Sequence, residues 1–468
     1  MKFIGRKKEL NALNKLSKRK NTITVIYGRR RIGKSCLIKE FLKNKQSLFF
    51  EGLEGLSKAH QLKNFILQLN YQTGNKFKKP KSWSEALLNL NSVVENKAYW
   101  IVFDEFQWIA NYRSEIVSEL KMIWDQYLSK TENISMILCG SIASFMTTKV
   151  IKSKALYGRT DLVISLKEFK LYETRIMLKD YGFQELLDAQ MILGGVPKYL
   201  ELVSSYPSLY LALDDLAFSE TGYFFEEFER IFVSHFAKNA DYLKIINCLS
   251  KYPYGLYRDE LVNKASIDTG GGLTQHLNNL ESAGFIKTIY PVDKQKNSRI
   301  LKYYISDAFL RFYYAFIKPK IAEIENDQQV SFNELTHTPL FYNWRGKAFE
   351  NLCMKHTTKI ANILGFSSVK YKVGPYFRAS KQGETGSQID LLFDRADNVL
   401  TMCELKSSKS PIGIEVEKEI NQKIDFLQKK YKRHSIQAVL IYDGTITNNL
   451  KNSPYILKKI SSEQLIIK

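Results

Sequence analysis

Residues 21 to 35 read N-T-I-T-V-I-Y-G-R-R-R-I-G-K-S, a β-branched run passing straight into G-x-x-x-x-G-K-S. No other stretch constrains the chain as strongly. With Gly28 and Gly33 at the two ends, the backbone can curl around an anion so that successive N–H groups point inward. Lys34 then supplies charge to phosphates, and Ser35 a hydroxyl for Mg²⁺. A helix expected over Cys36 to Lys43 aims its N-terminus at the same point. The side chains of Arg29, Arg30 and Arg31 could contact phosphates or a neighbouring subunit. Positions flanking such loops vary freely, however, so a solvated face is expected. The ligands are then the N–H groups of the loop, Ile32 and Cys36 included.

A second element agrees with the first. Tyr99-Trp100-Ile101-Val102-Phe103-Asp104-Glu105 is an apolar strand ending in two acids. Folds with such loops hold Mg²⁺ through the Asp and polarise water with the Glu from that position. Loop and acids together point to hydrolysis of ATP or GTP. No guanine-selecting N-K-x-D string is present, which favours ATP.

At 468 residues the chain exceeds one ordinary core and suggests about three domains. A net charge of +21 is spread along it, as expected for a polyanionic partner such as nucleic acid or for a genome rich in Lys codons. Five scattered cysteines without a C-x-x-C pair indicate neither a disulfide framework nor a zinc site, so a reducing cytoplasm is expected. No signal-peptide core and no run of roughly 18 apolar residues is found, so a soluble protein without a membrane partner is expected.

Strands expected at Thr22–Tyr27, Ser47–Phe50, Ala98–Asp104, Ile134–Gly140 and Leu162–Ser165 alternate with helices, the order of a parallel sheet covered on both faces. The pattern then turns helical, broken at Gly194-Gly195-Val196-Pro197. Residues 240 to 305 predict helices around Tyr242–Lys251, Arg258–Lys264 and Leu273–Ala283, with a turn at Gly270–Gly272 and strands around Ile286–Tyr290 and Ile300–Ile305. That is the order of a winged helix-turn-helix. Its third helix offers Thr274, Gln275, His276, Asn278 and Asn279 to bases or phosphates, and the hairpin tip Asp293–Arg299 is basic. Such modules also dock proteins or simply pack.

The last segment carries a second signature. Trp344 to Glu350 is expected to open a helix in which Trp344 and Phe349 pack against a sheet. Ser387–Phe393 and Asn398–Ser408 predict two strands. Metal-assisted phosphodiester cleavage needs carboxylates for divalent ions and a nearby cation, and Asp390, Glu404 and Lys406 supply those groups. Glu404 and Lys406, two apart on a strand, share a face. Asp390 joins them only if the connecting loop is odd or a bulge intervenes.

With these residues in view, the N-terminal two thirds resemble the archaeal-type AAA+ ATPases of the P-loop superfamily. Phe3-Ile4-Gly5-Arg6 with Glu9-Leu10 resembles the family's opening motif beside the adenine. Gly28 to Ser35 resembles its Walker A, Phe103 to Glu105 its Walker B, and Cys139-Gly140-Ser141 its strand-end sensor. Leu156-Tyr157-Gly158-Arg159 resembles a Tyr-Gly-Arg element that would make Arg159 an arginine finger acting in trans in a homo-oligomer. Gly194 to Tyr199, with Pro197, resembles a Gly-x-Pro lid motif, with Lys198 as a candidate for sensing the γ-phosphate. The C-terminal part is similar to PD-(D/E)XK nucleases, with Glu350, Gln388, Asp390, Glu404 and Lys406 on that pattern.

The resemblance implies an α/β fold with an AAA+ parallel sheet over 1–166, a helical lid over 167–237, a winged helix-turn-helix over 238–306, a helical connector over 307–339 and a restriction-endonuclease-like α/β domain over 340–468. ATP would sit at Lys34, Ser35 and Asp104, with Glu105 and Ser141 catalytic. Asp390 and Glu404 would hold Mg²⁺ or Mn²⁺ and cut nucleic acid, DNA rather than RNA. The alternative is a regulatory switch whose C-terminal domain binds nucleic acid or protein without cutting.

Overall fold

The computed structural model describes residues 3–95, 97–113, 115–131, 133–236, 239–294, 300–326, 328–378 and 387–466. The chain packs as two units. One comprises 1–168 and 196–198, the other 169–195 and 199–468.

The first unit is built on β1 (Ile23–Tyr27), β2 (Ser47–Glu51), β3 (Tyr99–Asp104), β4 (Ile134–Gly140) and β5 (Thr160–Ser165), in the order β2-β3-β4-β1-β5. All four pairings are parallel, as the alternation of strands and helices predicts. The period of two along β3 feeds two cores. Tyr99, Ile101 and Phe103 enter one, and Trp100 and Val102 the other. Strand ends shift from expectation by at most two residues. The helix after the loop runs Lys34–Leu42 rather than 36–43.

In the second unit, helices Ala240–Ser250, Arg258–Ala265 and Gly271–Ser282 accompany a small antiparallel sheet of β6 (Leu256–Tyr257), β7 (Ile286–Ile289) and β8 (Lys302–Ile305), ordered β6-β8-β7. The turn expected at 270–272 is instead the start of the third helix, capped by Gly270. Most of the basic hairpin tip, 295–299, lies outside the described residues.

A separate C-terminal mixed sheet follows: β9 (Tyr371–Arg378), β10 (Ser387–Arg395), β11 (Val399–Ser407), β12 (Ser435–Asp443) and β13 (Lys458–Ser461), ordered β13-β12-β11-β10-β9. The β9–β10 and β10–β11 pairings are antiparallel, the β11–β12 and β12–β13 pairings parallel. Helix Pro339–Lys355 covers one face with Ala348, Phe349 and Leu352, and helix Glu415–Lys430 the other with Val416, Ile420 and Leu427. The first of these helices begins five residues before the expected Trp344. Thr338 accepts the Phe341 N–H as N-cap, and Pro339 fits the first turn. Phe349 is fully buried, and Trp344 stacks on Phe341 at 5.8 Å, so both pack as expected.

Arg345 on that helix binds Asp188 at 2.8 Å, Gln184 at 2.6 Å, Ser407 at 2.7 Å and the buried Asp443. It thereby ties helix Phe183–Leu193 to the ends of β11 and β12. Removing one member of such a buried set leaves charges unpaired. Arg345→Met is expected to lower unfolding free energy by about 3–5 kcal/mol, measured by chemical denaturation.

Candidate functional site

The phosphate-loop residues sit at the carboxyl edge of the parallel sheet. Gly33 has φ +86°, open to glycine at little cost, and a Cβ at Gly28 would meet the Leu166 carbonyl oxygen at 2.5 Å. Lys34 is buried and folds back on the loop, donating to the carbonyls of Gly28 and Arg29, each at 3.1 Å. The buried Arg6 donates to the Ile32 carbonyl at 3.0 Å, so the opening motif braces the loop from behind. Ile32 itself packs in the core and Cys36 is exposed. Pro197 lies 4.0 Å from where a Gly33 Cβ would stand, and the Lys198 N–H donates to the Arg31 carbonyl at 3.4 Å.

The solvated face expected of the three arginines is not what forms. Arg29 pairs with Glu168 at 3.3 Å and Arg30 with Glu54 at 2.6 Å, and all three positions are half-buried. Carboxylates within reach tie Arg29 and Arg30 to neighbouring segments.

Ser35 Oγ donates to Asp104 Oδ2 at 2.6 Å. These two hard oxygen donors, next to the loop, fit a Mg²⁺ ion. Glu51, which the sequence does not single out, ends β2 opposite Asp104, and burial followed by the charges of Asp104 and Glu105 pushes its carboxyl up. Glu105 adopts φ 48°, ψ 46°, a left-handed conformation that costs a non-glycine residue about 1–2 kcal/mol. Its Oε2 accepts from Ser141 Oγ at 2.7 Å and from the Gln107 side-chain amide. Ser141 and Glu105 thus meet at the sheet edge, and Gln107 is a partner that the sequence does not reveal.

Arg159 is held by its own chain. It forms a fork with Asp125 at 2.7 and 2.8 Å, and that guanidinium is the main cause of the Asp125 carboxyl lying below its usual range. Asp125 belongs to the π-helical turn Trp124–Leu128. A finger acting in trans must first leave this fork.

In the C-terminal sheet, β10 pairs with β11 as Leu391↔Cys403 and Asp394↔Leu400. The loop is therefore odd, and continuing the register sets Asp390 opposite Glu404 on one face. Asp390 Oδ2 accepts the Leu405 N–H at 3.4 Å. Glu404 is buried, with Lys423 at 2.6 Å on one oxygen and Lys406 at 3.4 Å on the other, and Lys406 also binds Glu419 at 2.7 Å. Glu350 bonds Lys347 at 2.5 Å. Burial, then Glu350, pushes the Asp390 carboxyl up, and burial, then Asp390, does the same to Glu404. Among the described residues, no group of three or more His, Cys, Asp or Glu could hold a metal ion. The two carboxylates are of the right donor class, but ammonium groups occupy Glu404. Lys423 is the participant that sequence reasoning misses, because Glu419 and Lys423 at i, i+4 read as a surface pair.

Tyr254, Lys302, Lys347, Glu350, Gln388 and Asp390 line one cleft of about 40 Å³, room for a few waters and not for a nucleotide. On helix Gly271–Ser282, Thr274, Gln275 and Asn278 are exposed. Against expectation, His276 packs on Tyr242 at 4.4 Å, and Asn279 donates to the Tyr242 hydroxyl at 2.7 Å. Both lie on the helix flank that Tyr242 covers. Among the described residues, no helix is long and apolar enough to cross a membrane.

Residues 3–203 match the family model described as an ATPase domain predominantly from Archaea. An uncharacterized protein of Methanocaldococcus jannaschii is 27% identical over 395 residues, 83% of this chain and 84% of that one. An uncharacterized ATP-binding protein of the same organism is 49% identical over 45 residues, 9% of this chain and 76% of that one. Among solved structures, a Walker-type ATPase of Pyrococcus abyssi aligns with TM-score 0.51 and 19% identity over 67% of this chain and 96% of that one. The N-terminal region is thus similar to the archaeal ATPase domains that the family model describes, and the fold is similar to that of the Pyrococcus abyssi Walker-type ATPase.

A carboxyl whose pKa is higher in the folded than in the unfolded chain destabilises the fold once ionised. That penalty is absent below the unfolded pKa and complete above the folded one. Asp390→Asn keeps an acceptor for the Leu405 N–H, so its Tm should exceed that of the unaltered protein at neutral pH. The difference should vanish in acid below the ordinary carboxylate range, as paired thermal melts would show.

Proposed function

We propose that this archaeal-type ATPase is an ATP-driven switch acting on nucleic acid, with Asp390, Glu404 and Lys406 of the C-terminal domain cleaving the strand. The observation that carries the cleavage reading is the odd register that sets Asp390 opposite Glu404.

At the nucleotide site, Ser35 and Asp104 would hold Mg²⁺, which neutralises phosphate charge when bound. Lys34 would exchange the carbonyls of Gly28 and Arg29 for phosphate oxygens, and the loop N–H groups from Gly28 to Cys36 would cradle the phosphates. Glu105 would orient the attacking water with Ser141 beside it. Arg159 of a neighbouring copy, released from Asp125, would stabilise the charge that develops on the transferred group. Pro197 and Lys198, against the loop, would carry the state of the nucleotide to the helical lid.

In the second unit, helices Ala240–Ser250, Arg258–Ala265 and Gly271–Ser282 with their three-stranded sheet are read as a winged helix. Thr274, Gln275 and Asn278 are the side chains available to DNA. The narrow cleft over Asp390 would have to widen before a strand could enter, and that opening is the step assigned to the ATP cycle. A specific observation favours a second reading, a switch that binds nucleic acid or protein without cutting: both oxygens of Glu404 already face ammonium groups.

Incubating plasmid and single-stranded DNA with the protein and Mg²⁺ or Mn²⁺, with and without ATP, separates the two. Products that vanish in Asp390→Ala and Glu404→Ala support cleavage. Salt-sensitive binding without products, with ATPase intact, supports the switch alone. Independently, Arg159→Ala should reduce ATP turnover by about 10³-fold or more while leaving nucleotide binding in place, as an arginine finger requires. Full turnover in that variant would remove Arg159 from the mechanism.

A further inference from the structure

We propose that Gln107 is a positioning residue for ATP hydrolysis, the group that fixes the Glu105 carboxylate against Ser141. The inference rests on the ATPase reading of the first unit.

Gln107 is fully buried, two residues beyond Glu105 in the short helix Phe106–Ile109. Both ends of its side-chain amide are engaged. The amide N–H groups donate to Glu105 Oε2 and to Ser141 Oγ, the latter at 3.0 Å, while the amide oxygen accepts the Ser141 backbone N–H at 3.2 Å. Ser141 Oγ in turn donates to the same Glu105 oxygen at 2.7 Å. Two donors therefore converge on Oε2, and among the described residues Oε1 accepts no hydrogen bond. One oxygen is committed to the clamp and the other remains for water.

The clamp has work to do because the backbone alone would not keep Glu105 in place. Its left-handed φ of 48° is a conformation that a non-glycine side chain leaves readily unless its surroundings hold it. Gln107 joins the ends of β3 and β4, so the carboxylate is referenced to the sheet rather than to a loop. The space is fitted closely: a Cβ on Gly140 would lie 2.7 Å from Gln107 Oε1. Rotating the amide would leave buried donors unpaired, which makes the arrangement rigid.

A residue that merely filled the core would alter stability and nucleotide binding together with turnover. A positioning residue acts on turnover alone. Gln107→Ala, the near-isosteric Gln107→Met, Ser141→Ala and the Gln107→Ala/Ser141→Ala double variant should be compared in the full chain for kcat, for Kd of a fluorescent ATP analogue and for Tm. We expect each single variant to lose about ten-fold or more in kcat with Kd held within about two-fold. The double variant should be no slower than the worse single, because both act through one carboxylate. Unchanged kcat in Gln107→Met would overturn the inference. So would Kd rising in step with the loss of kcat, or losses that multiply in the double variant. Absence of hydrolysis by the unaltered protein would overturn the ATPase reading itself and this inference with it, which separates the two failures.

Discussion

The parallel register of β1, β3 and β4 is the constraint on which the nucleotide site depends. Tyr27 lies level with Gly140, and Phe103 with Leu138, so the strands deliver the phosphate loop, Asp104 and Glu105, and Ser141 to one edge of the sheet. Residues more than a hundred positions apart become neighbours because hydrogen bonds between strands admit only discrete offsets. A slip of one residue in any of these pairings would exchange the two faces. Ile101 and Phe103 would then trade cores with Trp100 and Val102. The hydrophobic alternation therefore protects the geometry of the site without any site residue taking part.

The C-terminal sheet handles charge differently. Its two acids are placed by antiparallel register, and Glu404 is then countered by Lys423 from helix Glu415–Lys430 and by Lys406 of its own strand, which also pairs with Glu419 of that helix. Buried carboxylates held this way are costly to desolvate, and well-packed apolar side chains of similar volume are often at least as stable in such places. Arg345 shows the alternative use of buried charge in the same domain. There two buried aspartates bracket one guanidinium, and the arrangement fixes helix Phe183–Leu193 against strand ends. One ionic set locks elements together, while the other leaves ammonium groups that a ligand could displace.

Much of the nucleotide site was legible because each part is local in sequence. The loop announces itself by its glycines, Lys34 and Ser35 between positions 28 and 35, the acids at 104 and 105 end one apolar run, and the fold class follows from how strands and helices alternate. What escaped was contact made across the fold. Gln107 reads as a polar residue in a short helix, and only the approach of β4 turns it into a partner of Glu105. Arg29 and Arg30 read as solvated until Glu168 and Glu54 arrive. His276 and Asn279 share a helix with exposed residues, and the facing Tyr242 decides which flank is covered. The helix start at Thr338-Pro339 is a local cap signal, a threonine accepting the Phe341 N–H with proline in the first turn, five residues ahead of Trp344.

Residues 196–198 pack with the nucleotide unit, while the chain on either side of them packs with the other. The backbone thus passes between units at 168, at 195 and at 198, and helix Pro197–Val203 begins in one and ends in the other. No single cut releases both units whole. A piece ending at 168 forfeits the proline beside Gly33, and a piece reaching 198 drags along Leu186 and Met191 without the core that covers them. A truncation at this joint therefore leaves apolar side chains without the core that covers them.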